Sequence, residues 1–409
     1  MVSFVTVQGS TYQPIVLGFD SNANFALAEE IAARINAGIS AGTIMTEYDT
    51  GGTPPPPPAG VEGALVQTAS GLAVLPHGYD IDLVTKAGPV VVLSTGANDE
   101  TILSNASTDL TFLAASGSGT VVAGGGDNRL SVAGSGNWSL FTGGGSNVIA
   151  ALGAVNATIG AGGGSNAILL GRGNDIVIST GMDTIVGGSG AVTIDATGAR
   201  SDLVEGGHSS LFFVGGAGGA TILGGSGSDT YFGSAAATGH QLIVGGSGGN
   251  NFLLAGDGAA TLVGGGNNDQ LYGYGGQNQL LIAGLGNETL SAALSVGNDT
   301  LQAGSGMDLL VGGGGSDTFV GGSGTATVTA GYGGQVFEFI NHAAGGTELV
   351  QGIFDPASIQ IDLEGYGSGA VCQALASQTV ANGSVSIGLT DGTKVTFQDV
   401  TSLSKSNFV

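Results

Sequence analysis

Carboxylates set in glycine-rich turns are the residues of this 409-residue chain whose type and spacing could do chemistry. Asp299 and Asp317 stand 18 residues apart, Asp269, Glu288 and Asp308 step by 19 and 20, and Asp183 and Asp202 by 19. A hard divalent cation takes six to eight oxygen ligands, so one carboxylate never suffices. Two turns on the same side must each bring one, together with the carbonyls that close glycine turns expose. With 31 acidic against 7 basic residues the net charge is −24, which makes divalent cations the natural counter-ions and repels nucleic acid and anionic lipid.

Other chemistry finds little support. His77, His208, His240 and His342 are scattered, and no GxSxG elbow or HExxH helix is present. A polysaccharide lyase or epimerase needs basic residues to neutralise a uronate, and the repeats carry only Arg129, Arg172 and Arg200. Ice binding needs ranked threonines, and the run Thr325-Ala-Thr327-Val-Thr329 is not repeated. The single cysteine, Cys372, cannot form an intramolecular disulfide and is expected in core packing. The chain reads as a non-enzyme.

The elements that must hold the carboxylates are short. Eighty-one glycines without a three-residue period exclude collagen, and 42% hydrophobic residues argue against disorder. Between residues 94 and 340 apolar centres recur every nine or ten residues, among them Ile102, Phe112, Val121, Leu203, Phe212, Phe232, Leu242, Phe252 and Phe319. Each is followed by a glycine turn. Two strands make one coil, and stacking coil on coil satisfies the backbone and buries one core. The predicted architecture is all-β: a right-handed parallel β-solenoid of about a dozen coils, about 60 Å long at the usual strand spacing. In Thr184-Ile-Val186, Thr221-Ile-Leu223, Thr261-Leu-Val263 and Leu309-Leu-Val311 an inward middle residue sends the last residue outward, an apolar stripe suited to another copy or to the N-terminal segment.

The flanks differ. Residues 1–52 predict a small α/β segment: strands Ser3 to Gln8 and Pro14 to Gly18, then a helix carrying Leu27, Ile31 and Ile35, with Ser21 or Asn24 as cap and Gly38 at its end. Residues 53–60 hold the run Pro54 to Pro58, a polyproline spacer of roughly 15 Å. Residues 61–93 read as a β cap leading into the repeats, and 341–409 as a C-terminal β cap with a hairpin at Asp391-Gly392. No N-terminal export signal and no membrane-spanning run is visible, so membrane insertion is not expected.

Gly224 to Phe232, GGSGSDTYF, and Gly312 to Val320, GGGGSDTFV, resemble the nine-residue GGxGxDxUx repeat of the repeats-in-toxin (RTX) family. Leu170 to Ile178 and Ala303 to Val311 are near matches. The resemblance implies a β-roll in which an aspartate from each turn binds Ca2+ between successive coils. Asp269, Glu288, Asp299, Asp308 and Asp317 are then the principal candidate ligands, with Asp183 and Asp202 a further pair. Asp175 and Asp229 complete the set, although neither has an acidic neighbour one coil away; Asp229 faces Asn250, and an Asx-turn competes with metal for both. In the first half Asn128, Asn147 and Asn166 step toward Asp183, and Asn137 and Asn156 toward Asp175. Stacked amides can bond one another without metal, so a metal-poor first half and a calcium-bearing second half are expected.

The closing run from Asp391 to Val409 resembles the uncleaved C-terminal export signal of type I secreted RTX proteins. These features predict a secreted, calcium-stabilised structural protein of the cell surface, extracellular matrix or biofilm. It is expected to self-assemble as a homo-oligomer, filament or layer, the N-terminal strands adding to a neighbouring subunit. The alternative is a calcium-dependent adhesin or carbohydrate-binding module recognising cell-surface glycan.

Overall fold

Three or four residues of strand between glycine turns are too few to stand alone, so each strand pairs only with its equivalents one coil before and one coil after. The computed structural model describes all residues except 11–12, 51, 95, 97–98 and 235–237. It divides into Met1–Leu203 and Val204–Val409. Both units wind as parallel β-solenoids, about 16 turns in all. That exceeds the dozen expected because the coils start earlier and end later than the glycine-rich stretch.

In the first unit, β1 (Ser3–Gln8) and β2 (Pro14–Phe19) pair antiparallel. Helix α1 (Asn22–Ala41) follows, with Ser21 as N-cap and Gly42, at φ 71°, as C-cap; it runs past Gly38, whose backbone a helix interior tolerates. Strand β3 (Ile44–Tyr48) is already a solenoid strand, parallel to Glu62–Gln67. Residues 61–93, expected as a β cap, are themselves coils: Glu62–Gln67 pairs with Tyr79–Val84, and Gly71–Val74 with Gly88–Leu93, both in parallel. Their turns lack glycine repeats, which hid them from a glycine-based reading. The proline run is no free spacer either, since the Tyr79 hydroxyl donates to the Pro55 carbonyl at 2.8 Å.

The N-terminal segment serves its own chain. Val66, Leu83, Leu103 and Val122 point outward from successive coils, yet all are fully buried because Val7, Leu17, Ala28, Ile31 and Ile35 cover them. Polar contacts fix the cover. The Gly144 N–H donates to Asp20 Oδ2 at 3.0 Å, Asn24 Nδ2 to the Ala123 carbonyl at 3.2 Å, and the Ala106 N–H to the Gly18 carbonyl at 2.7 Å. Within the chain, β1 and β2 are paired with each other and seated on its own coils.

In the second unit one sheet contains Leu211–Val214, Thr230–Phe232, Phe252–Leu254 and Gln270–Gly275, continuing to Thr347–Gln351. The other runs from Gly219–Leu223 through Gln241–Val244 and Ala260–Val263 to Gln360–Glu364. At its end Lys394–Phe397 pairs in parallel with Thr347–Gln351 and antiparallel with Ser384–Gly388, the predicted Asp391-Gly392 hairpin. That hairpin caps the sheet edge, which would otherwise template strand addition. Cys372 lies exposed on α2 (Ala370–Ala376), not in the core, because that short helix buries only Ala370 and Ala374.

Strand parity corrects several centres. Phe213, Tyr231, Ile243 and Leu253 are the buried residues of their strands. Phe212, Phe232, Leu242 and Phe252 point outward, as does Leu203 in the first unit. A one-residue shift in a strand exchanges its two faces.

Candidate metal centre

The turn position that precedes each strand faces inward, and neighbours there align coil by coil. In the first unit the column is Asn128, Asn147, Asn166, Asp183, Asp202. Asn128 Nδ2 donates to Asn147 Oδ1 at 2.9 Å, Asn147 Nδ2 to Asn166 Oδ1 at 2.7 Å, and Asn166 Nδ2 to Asp183 Oδ1 at 2.6 Å. Each side-chain oxygen also accepts the backbone N–H of the previous member, as Asn147 Oδ1 does from Asn128 at 3.0 Å. The expected amide ladder is present, buried and self-satisfying. It ends on two acids: Ser179 Oγ lies 2.6 Å from Asp183 Oδ2 and 2.9 Å from Asp202 Oδ1. Burial pushes the Asp202 carboxyl up to about 6 and raises that of Asp183.

The second expected amide column is corrected by one position. Asn137 and Asn156 bond at 3.1 Å on the exposed edge, but Asn156 Oδ1 next accepts the N–H of Asn174, not of Asp175. Asp175 faces inward instead, accepting from the Ala157 N–H at 2.8 Å, while its Oδ2 has no partner. Burial pushes it up to about 6.

In the second unit one column is Asp229, Asn251, Asp269, Glu288, Asp308. Asp229 faces Asn251 rather than Asn250, which takes the left-handed turn position at φ 57°. Asn251 N–H and Nδ2 both donate to Asp269 Oδ1, at 2.8 and 2.9 Å, and the Glu288 N–H donates to Asp308 Oδ1 at 3.0 Å. The other column joins Asp299 to Asp317, whose Oδ1 accepts the Asp299 N–H at 2.9 Å.

The remaining oxygens separate these acids into two kinds. Those of Asp269, Asp308 and Asp317 are met within their own turns: Asp269 Oδ2 accepts from Gly265 and Gly266, Asp308 Oδ2 from Gly304, and Asp317 Oδ2 from Gly313. Asp229 Oδ2, Asp299 Oδ2 and both Glu288 oxygens are buried without a well-formed hydrogen bond, the groups beside these carboxylates being the Gly246 N–H, the Ser295 hydroxyl and the Gly286 N–H. Asp229 Oδ2 lies in a cradle between successive turns, where a side chain on Gly224 or Gly246 would collide with it. Burial raises the carboxyls of Asp229, Asp299 and Asp317, and burial with Asp308 alongside raises that of Glu288. A buried carboxylate without a donor is costly unless a proton or a cation compensates it. Sequence reading missed Glu348, which follows Asp308 and Ala326 in the same column, is 3% exposed, has an unpartnered Oε1 and is pushed up to about 8 by burial. No nonapeptide surrounds it to signal its place.

Among the described residues no three acidic, histidine or cysteine side chains converge to cage a metal. The donor set fits a hard cation held between turns instead: hard oxygens only, at most two carboxylates at a step, and unpartnered oxygens beside glycine backbone. A parallel β-solenoid with such turns belongs to the class of cation-binding β-rolls. Residues 177–207, 212–237, 245–280 and 295–328 match the RTX calcium-binding nonapeptide repeat in four copies, so this part of the chain carries repeats of a calcium-binding kind. All four copies lie beyond the run from Asn128 to Asn166, at and after the point where carboxylates replace amides. Among curated proteins none matches the chain.

Proposed function

We propose that the chain is a secreted structural protein of the cell surface or extracellular matrix, exported by the type I route and associating with copies of itself once calcium has loaded its turns. The repeats make it a calcium-stabilised β-solenoid of a kind typical of secreted, non-catalytic proteins. The observation that carries the rest is the distribution of charge. From Leu211 to Thr329 no outward strand residue of either sheet in the second unit bears a formal charge, in a chain of net charge −24. The acids sit in the turns. Asp229, Glu288 and Asp299 offer oxygens to calcium, while Asp269, Asp308 and Asp317 shape the adjoining turns.

Calcium at a hundredfold its dissociation constant adds about 2.7 kcal/mol per site. Melting curves and sedimentation velocity in millimolar calcium and in chelator test the proposal. The expected outcome is a rise in melting temperature with calcium and a concentration-dependent shift to larger species. A melting temperature unmoved by calcium, or a monomer at every concentration, overturns it.

A second reading, a calcium-dependent adhesin or carbohydrate-binding module, draws on one feature. Tyr332 and Phe354, 68% and 72% exposed, stack at 5.0 Å and 11° beside a pocket of about 270 Å³ that Gln335, Asp355 and Ser358 also line. An aromatic platform with a polar rim suits a sugar ring. Calcium-dependent glycan selectivity lost in Tyr332→Ala and Phe354→Ala would favour it.

A further inference from the structure

The residues that turned out to face outward form a pattern of their own. On the outer face of the sheet from Leu211 to Thr329, two rows run along the coil stack. The first reads Phe212, Thr230, Phe252, Gln270, and the second Val214, Phe232, Leu254, Tyr272. Bulky and smaller residues alternate in each row and are out of phase between rows. The rings therefore zigzag, Phe212 to Phe232 at 5.8 Å, Phe232 to Phe252 at 5.5 Å and Phe252 to Tyr272 at 5.4 Å, with planes tilted by 58°, 46° and 38°. The result is a checkerboard of humps and hollows.

We infer that this face docks against the same face of a second copy, about a two-fold axis that seats the rings of each in the hollows of the other. The inference rests on the self-association proposed above and names its surface. Three observations favour a second copy over other occupants. The face carries no formal charge, so a partner gains nothing there by bringing charge. The rings pack edge against neighbour rather than lying coplanar, and Gln270 is the one amide among the eight residues, whereas a sugar platform needs ring faces outward and a polar rim. Alternating bulk within each row is complementary to itself, the condition under which two sheets interdigitate at a spacing of about 10 Å. The turn acids lie at the sheet's edges, outside such a contact.

Size agrees. Downstream the face continues through Thr289, Leu309 and Thr327, still uncharged. Seven strands at about 4.8 Å, roughly 15 Å wide, cover about 500 Å² per partner, or about 1,000 Å² in all, the lower end of the range for a specific interface. The first unit shows how this chain treats an apolar outer row: it covers Val66, Leu83, Leu103 and Val122 with its own N-terminal segment. Phe212 remains 41% exposed.

Sedimentation velocity of the full chain in millimolar calcium tests this with Phe232→Lys/Phe252→Lys against Ile282→Lys, which lies on the outer face of the other sheet. The double variant is expected to raise the dissociation constant of the dimer at least a hundredfold over wild type, toward monomer, while Ile282→Lys has no effect; an unchanged calcium-induced melting shift shows that each folds. In a Cys372→Ser background, Thr230→Cys is expected to give a disulfide-linked dimer on mild oxidation, and to lose it when Phe252→Lys is added. If wild type associates and the double variant does so equally, the surface is wrong and self-association stands. If wild type is monomeric, both fail. Retention on an insoluble β-linked polysaccharide that Phe252→Lys abolishes would give the face to a glycan and overturn the inference.

Discussion

Replacing Asn147 by alanine would leave the buried Asn128 N–H without its acceptor and Asn166 Oδ1 without one of its donors, while Asn128 Nδ2 keeps the Gly124 and Gly126 carbonyls. Stranding a buried donor costs about 1–3 kcal/mol. The loss should be the same in calcium and in chelator, because the ladder completes itself with amides. Asp299→Ala should differ: it also frees the buried Gln279 N–H, and it removes Oδ2, so that beyond a metal-independent loss it should shrink the calcium-dependent rise in melting temperature. Paired melts of the two variants, with and without calcium, check this; equal calcium sensitivity would contradict it. The contrast was legible in the sequence at Asn128, Asn147 and Asn166, where equal steps of 19 residues gave the alignment directly. It was not legible at Asp175 or Glu348, whose neighbours in the column are Ala157 and Ala326, residues that announce no site.

At the scale of elements, a strand in this fold is readable as a strand but not by side. The triplet Thr230-Tyr231-Phe232 holds two aromatics, and hydrophobicity alone prefers neither for the core. The inward turn acid Asp229 decides it, since alternation from that residue sends Thr230 out, Tyr231 in and Phe232 out. Helix α1 was likewise recognisable from Ile31 and Ile35, while its partner was not, because the row it covers begins at Val66 and Leu83, in coils whose turns lack the glycine signature. Its cover can be tested. Ile35 is fully buried against the coils, so Ile35→Asp places a carboxylate in an apolar interface at a cost of more than about 3 kcal/mol. Hydrogen exchange should accelerate at the amides of Leu103 and Val122, and unchanged protection there would show that the segment is dispensable to the coils beneath it.

At the scale of the molecule, burial of so many acids sets a pH response. Folding raises the Asp175 and Asp202 carboxyls to about 6 and that of Glu348 to about 8. A group whose pKa is higher in the folded state favours folding below its unfolded pKa and loses that contribution as pH rises to the folded one. In chelator the chain should therefore be most stable in mild acid. Asp175 and Asp202 weaken it from about pH 4 to 6, and Glu348 from about pH 4.5 to 8. Glu348→Gln should flatten the upper part of this decline and stabilise the metal-free protein by about 2 kcal/mol at pH 9. Chemical denaturation from pH 5 to 9 is the check, and a variant that keeps the wild-type slope between pH 6 and 8 would rule Glu348 out as its source.

The coils differ in length. Aligned turn residues are separated by 17 positions from Asn166 to Asp183, by 18 from Asn251 to Asp269 and by 22 from Asp229 to Asn251, odd and even alike. Inside a strand an odd insertion would turn the pattern inside out, but the glycine turns absorb it before the next strand begins. The molecule counts coils rather than residues. Such a chain tolerates drift in length without losing which side of it faces the world, and its turns are natural places to graft foreign peptides of any parity.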